Sequence, residues 1–165
     1  MKERDIILNH EQIQHKIKRI AYQIYETNVN ETELIIAGIA NNGYIFAERL
    51  HKELTEISDI NVKLCKITMD KKNPLNTVKT NIETTSFANK SIVLADDVLS
   101  TGTTLMYAVQ HLLKVPLKRL KTTVLVNRNH KKFPVKADFK GLSLSTSSHN
   151  NVEVIFGSSD TVYLT

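Results

Sequence analysis

The chain has 165 residues, of which 24% are charged and 41% hydrophobic, and a formal net charge of +5 at pH 7. That length predicts one domain over residues 1–165 with a proper core, and the mild positive charge suits anionic ligands without requiring any. The single cysteine, Cys65, excludes a disulfide framework, and no apolar run or amino-terminal signal marks a membrane or secreted protein, so a soluble cytoplasmic domain with no membrane partner is expected.

Asn9 followed by Gln12 reads as a capping-box helix start, and Ile13, Ile17, Ile20, Ala21 and Ile24 then form one apolar stripe. Lys16, Lys18 and Arg19 fall elsewhere around that helix and read as a solvated face. Residues 34–40 (LIIAGIA) form the first buried strand. The turn Asn41, Asn42, Gly43 leads into a second helix with Ile45, Phe46, Leu50 and Leu54 facing inward. A helix amino terminus there offers backbone N–H groups to an anion. Residues 61–68 are the next strand. Residues 69–89 are polar, lysine-bearing and broken by Pro74, a long loop in which residues 78–85 suit a small β-ribbon strand.

Residues 91–108 (SIVLADDVLSTGTTLMYA) are the most informative stretch. Residues 91–95 are a short apolar run fit for a buried strand, ended by Asp96 and Asp97. Ser100, Thr101, Gly102, Thr103 and Thr104 then enter a helix whose apolar positions are Leu105, Ala108, Val109, Leu112 and Leu113. A turn of small residues opening a helix aims N–H groups and the positive end of the helix dipole at one point, and this suits a phosphate monoester. The two carboxylates would repel that phosphate at contact. They are placed to accept hydrogen bonds from neutral hydroxyls or to orient a hydrated Mg²⁺. Phosphate at one end and diol at the other describe a ribose 5-phosphate. The plainer alternative is a strand–turn–helix carrying polar residues at its surface end, but an adjacent carboxylate pair straight after an apolar strand is costly unless solvated, paired or used.

After Pro116, residues 119–126 give another strand, ending in Asn127, Arg128, Asn129 and His130. Residues 131–141 read as a loop broken by Pro134. Residues 152–156 and 161–164 alternate as closing strands around the turn Gly157, Ser158, Ser159, Asp160. The six histidines show no metal-ligand spacing; His130, next to the proposed site, reads equally as a site residue and as a loop histidine bonded to backbone.

VLADDVLSTGTT is similar to the phosphoribosyl-pyrophosphate (PRPP) motif of type I phosphoribosyltransferases. Within them the chain resembles the bifunctional pyrimidine-operon attenuation regulators and uracil phosphoribosyltransferases. The segments that carry this are Asn9-His10-Glu11-Gln12, residues 38–50 (GIANNGYIFAERL), residues 124–141 (VLVNRNHKKFPVKADFKG) and Ser145-Thr146-Ser147. The resemblance implies an α/β fold with a central parallel sheet flanked by helices, a small hood over about residues 131–165 and a flexible lid loop over about residues 69–89. It implies transfer of ribose 5-phosphate from PRPP to a nucleobase, uracil or another, with Mg²⁺ bound alongside PRPP rather than in a protein cage.

By the same resemblance, Asp96 and Asp97 orient the ribose hydroxyls, and Ser100, Thr101, Gly102, Thr103 and Thr104 hold the 5-phosphate. Ala40, Asn41, Asn42 and Gly43 form the pyrophosphate loop, and Asn127 with Arg128 borders the nucleobase. A homodimer is implied too. Three departures stand out. Asn42 replaces an arginine, Met69-Asp70-Lys71-Lys72 replaces a Tyr-Arg-Asp-Asp run, and Asn127 replaces an aspartate. Lys71, Lys72 and Lys79 either supply the missing charge as phosphate contacts or belong to an ordinary solvated loop. The departures keep a second reading open, a nucleotide-sensing regulator that binds RNA with weak or no transferase activity. A phospho-acceptor signalling domain also carries an acidic pair, but at the end of its first strand, and here at least two strands precede it.

Overall fold

The computed structural model describes residues 4–165. Strand β1 (Asp5–Leu8) leads through Asn9 into helix α1 (His10–Thr27). The Asn9 side chain accepts from the Gln12 N–H at 2.9 Å and the Gln12 side chain accepts from the Asn9 N–H at 2.9 Å. This reciprocal box satisfies two N–H groups that the first turn leaves without partners. Ile13, Ile17, Ile20, Ala21 and Ile24 are all buried, as their spacing predicts. There follow β2 (Glu33–Ile39), α2 (Asn42–Ile57), β3 (Asn61–Thr68), β4 (Lys79–Thr80), β5 (Ser91–Leu99), α3 (Thr103–Leu112), β6 (Arg119–Arg128), β7 (Phe139–Leu144), β8 (Val152–Ile155) and β9 (Thr161–Leu164).

The larger sheet has the order β4-β3-β2-β5-β6-β7, parallel from β3 to β7, with the two-residue β4 antiparallel at its edge. Side chains alternate across it with period two. Leu34, Ile36, Val93 and Ala95 pack with α1 and α2, whereas Ile35, Ala37, Ile92 and Leu94 pack with Leu105, Ala108 and Leu112 of α3. Burial on both faces is why these strands read as continuous apolar runs. From β2 the chain moves one way to β3 and later returns to the other side as β5, so the strand order reverses between β2 and β5. In an open α/β sheet the crevice at the carboxyl ends of such a strand pair is where ligands sit.

Several expectations need correction. Strand β5 does not stop before the acidic pair; it runs on to Leu99, because β6 keeps pairing with it at Asp96↔Val124, Val98↔Val126 and Leu99↔Asn127. The ribbon strand expected at residues 78–85 shrinks to β4, and a 3-10 turn at Thr84–Phe87 then drives Phe87 fully into the core. The expected loop at residues 131–141 ends inside β7, which is an edge strand of the central sheet and not part of a hood. The smaller sheet is β1-β9-β8, so the amino-terminal β1 supplies a strand that the sequence reading missed. Ile45 is only half-buried, and Leu113 lies just past α3 with 57% exposure.

One buried carboxylate joins the small sheet to the body. Asp160, fully buried in the turn between β8 and β9, accepts from Gln14 of α1 at 2.7 Å, from the Gly157 N–H at 3.0 Å and from the Arg49 guanidinium of α2. Its own N–H donates to His10 Nδ1 at 3.0 Å. Sequence alone gives Asp160 no more than a turn position.

Candidate active site

Pairing between β2 and β5 ends at Gly38↔Ala95, whereas β5 continues beside β6 for four more residues. Asp96 and Asp97 therefore stand where β5 has lost one neighbour, at the mouth of the crevice. Asp96 is 3% exposed and Asp97 half-buried. The Asp97 N–H donates to Asp96 Oδ1 at 3.0 Å and the Val98 N–H donates to Asp97 Oδ1 at 2.9 Å. Burial pushes the Asp96 carboxyl up to about 8; Asp97 adds to the rise, and Lys71, with Nζ 3.5 Å from Asp96 Oδ1, opposes it. A buried acid beside a second carboxylate favours its neutral form until a cation or a donor arrives.

Across the crevice, α2 begins against the end of β5. A Cβ on Gly43 would lie 2.8 Å from Asp96 Oδ1 and 2.9 Å from Ala95 O, so only glycine lets the helix approach this closely. The Ala40–Asn41 peptide bond is cis, and Ala40 N–H donates to Ile67 O at 2.9 Å. Asn41 is exposed. Asn42 does not present its amide outward. Its Nδ2 donates to Asp97 Oδ2 at 3.1 Å and to Val154 O of β8 at 2.9 Å, tying the acidic pair to the small sheet.

Beyond the pair, Ser100, Thr101, Gly102, Thr103 and Thr104 curl into the start of α3. Gly102 adopts the left-handed conformation with φ +86°, and a Cβ there would also meet Val135 Cγ1 at 2.6 Å. The Thr101 and Thr103 hydroxyls are 3.0 Å apart, and Thr103 N–H donates to Thr101 Oγ1 at 3.3 Å. The Thr101 carbonyl accepts from Lys132 N–H at 2.8 Å and Phe133 N–H at 3.1 Å, so residues 132–135 back the turn. The turn encloses a cavity of about 80 Å³ lined by Asp96, Leu99, Ser100, Thr101, Gly102 and Thr104 among others. The small-residue turn and the Asp96 carboxyl thus share one small space.

Asn127 and Arg128 end β6 on the far side. Asn127 Nδ2 donates to Ser143 Oγ at 3.3 Å, while its buried Oδ1 has no partner. Arg128 is buried and its guanidinium is spent internally: Nη2 donates to Thr146 Oγ1 at 2.9 Å and Asn150 O at 2.6 Å, and Nη1 lies 3.5 Å from Ser100 Oγ. It folds the loop after β7 over the strand end. His130 Nε2 lies 2.8 Å from Thr146 O, the backbone-bonded alternative. Sequence reasoning missed the Lys71 and Asn42 contacts with the acidic pair and the loop-holding work of Arg128. The Ser145-Thr146-Ser147 run was the only local signal for the last.

Among the described residues no group of three or more His, Cys, Asp or Glu is gathered to hold a metal ion. The hard oxygens of Asp96 and Asp97 fit Mg²⁺, which usually takes one or two carboxylates and completes its shell with waters and phosphate oxygens of the ligand. No helix among the described residues is long and apolar enough to cross a membrane.

A family model described as the phosphoribosyl transferase domain matches residues 3–159. The chain belongs to this family. Among curated proteins it is 32% identical to the bifunctional protein PyrR of Fusobacterium nucleatum over 157 residues, covering 90% of this chain and 89% of that one. It is 33% identical to the bifunctional protein PyrR of Streptococcus mutans over 143 residues, covering 84% and 80%. Among solved structures, the hypoxanthine phosphoribosyltransferase of Trypanosoma cruzi aligns with TM-score 0.75 at 20% identity, covering 92% of this chain and 85% of that one. A hypoxanthine-guanine phosphoribosyltransferase of Bacillus anthracis aligns with TM-score 0.73 at 22% identity, covering 85% and 81%. At those identities the structural likeness is one of fold.

Proposed function

We propose that this phosphoribosyltransferase moves ribose 5-phosphate from PRPP to uracil and releases pyrophosphate. The observation that carries this is the meeting of the buried Asp96, with Asp97 beside it, and the small-residue turn of α3 at the switch point between β2 and β5. Uracil is the base implied by the resemblance in residues 38–50 and 124–141; the hypoxanthine enzymes share the fold and carry no weight for the base.

In this reading residues 101–104 receive the 5-phosphate on backbone N–H groups and hydroxyls. Asp96 and Asp97 accept from the ribose 2- and 3-hydroxyls. Ala40, Asn41, Asn42 and Gly43 face the pyrophosphate, and the backbone at Asn127 edges the base. The transition state at C1 is oxocarbenium-like, so the protein's work is positioning and charge stabilisation. Mg²⁺ entering with PRPP would supply positive charge to the leaving diphosphate. Asn42 is neutral and adds none, and its amide donors are already turned to Asp97 and Val154.

That commitment of Asn42 favours a second reading, a nucleotide-sensing, RNA-binding regulator, acting as a homodimer, in which the same crevice holds a nucleotide and turnover is negligible. Steady-state assay with PRPP and Mg²⁺ against a panel of free bases separates the two. Uracil-dependent pyrophosphate release, with other pyrimidines and purines at least about tenfold slower, is the expected result. No turnover with any base, together with binding of uridine 5-monophosphate (UMP), leaves the regulator.

A further inference from the structure

Two of the departures from the family pattern, far apart in sequence, arrive at the same two carboxylates. Asn42 donates to Asp97, and Lys71 places its ammonium 3.5 Å from Asp96. Lys71 does not hang from a loose loop. Asp70 Oδ1 accepts from the N–H groups of Lys72 at 2.9 Å and Asn73 at 3.2 Å, and Oδ2 accepts from Asn76 Nδ2 at 3.0 Å. Further along, Val78 and Ile82 pack against the core on the α3 side and Phe87 is buried in it. The main chain that follows Lys71 is therefore folded back on Asp70, and the side chain is delivered to Asp96. Its 41% exposure against 4% for the Asp96 side chain places the ammonium outside and the carboxylate within.

With no ligand, the Lys71 ammonium stands beside Asp96 and the Asn42 amide donates to Asp97, so each carboxyl has an internal polar neighbour. A divalent cation arriving with a diphosphate changes this. An ammonium and a dication on one buried carboxyl repel each other in a medium less polar than water. A nucleoside monophosphate brings neutral hydroxyls to the pair and no second cation.

We propose that Lys71 is an internal counter-ion that sets the metal dependence of the site. A Mg²⁺-bound diphosphate displaces it from Asp96 and frees the lid stretch around it, whereas a metal-free nucleoside monophosphate binds with Lys71 in place. The choice of ligands rests on the reading given under Proposed function.

The test is Lys71→Met, which keeps the aliphatic stem and removes the charge, with Lys72→Met as control. In ligand-free protein, hydrogen exchange at residues 72–77 quickens in Lys71→Met and not in Lys72→Met. By calorimetric titration, the Mg²⁺ concentration giving half-maximal PRPP binding falls by about two- to fivefold in Lys71→Met, the range of a partly exposed ion pair. UMP affinity without Mg²⁺ does not rise. An unchanged Mg²⁺ requirement, or unchanged lid exchange, overturns the inference. So does a loss of PRPP affinity at saturating Mg²⁺, which makes Lys71 a ligand contact instead. Wild-type protein that binds neither PRPP nor UMP overturns the reading of the site; the exchange measurement, containing no ligand, still judges the hold of Lys71 on the lid.

Discussion

Asp160→Ala is expected to destabilise the protein by about 3–5 kcal/mol, the usual cost of removing one partner from a buried ion pair. The carboxylate is fully buried and gathers Arg49, Gln14 and the Gly157 N–H, three donors from three parts of the chain. Removing it leaves the Arg49 charge partly buried without its partner and cuts the turn between β8 and β9 from α1 and α2. Asp160→Asn keeps the shape and one acceptor oxygen and is expected to lose less. Urea unfolding at pH 7 checks this, and a loss below about 1 kcal/mol for the alanine variant would show that the cluster is decoration rather than a clamp.

Asp96→Asn is expected to weaken PRPP binding by about tenfold or more while making the protein more stable, an opposition typical of groups held for function. The sign of the stability change follows from the carboxyl, which burial raises to about 8 in the folded chain. An unfolded aspartate titrates near about 3.9. The folded state thus holds the proton more tightly than the unfolded one. The wild type keeps the full contribution below about pH 4 and loses it as pH rises through about 8. The asparagine variant has no such loss. Its melting temperature is therefore expected to exceed that of the wild type by on the order of 5 °C at pH 8, with the gap closing towards pH 5. Melting curves across that range, beside calorimetric titration with PRPP and Mg²⁺, check both halves. A variant less stable than the wild type at pH 8 would mean that Asp96 is a structural acceptor and not a strained site residue.

What could be read from the sequence was local. Helix α1 carries its capping box and its stripe within its own residues, and β2 and β5 announce themselves as apolar runs because both faces of the sheet are covered. The acidic pair and the α3 turn lie within nine residues of one another, so their chemistry was legible without any fold. The parts that stayed hidden depend on partners far along the chain. Strand β1 is four residues long and acquires its meaning only by pairing with β9. Asp160 meets His10, Gln14 and Arg49 through folding alone. Strand β5 passes through Asp96 and Asp97 because β6 is there to bond it, against the poor strand propensity of aspartate. The directions of Asn42 and Lys71 are side-chain geometry, and no spacing rule encodes them.

A crystal structure with UMP bound shows whether the acidic pair and the α3 turn form one ribose 5-phosphate site. The phosphate is expected on the backbone N–H groups of residues 101–104, with the ribose hydroxyls within hydrogen-bond distance of Asp96 or Asp97. A phosphate bound elsewhere, for instance in the cavity of about 300 Å³ between residues 74–78 and His111 and Lys114 of the α3 end, with residues 101–104 empty, would contradict it.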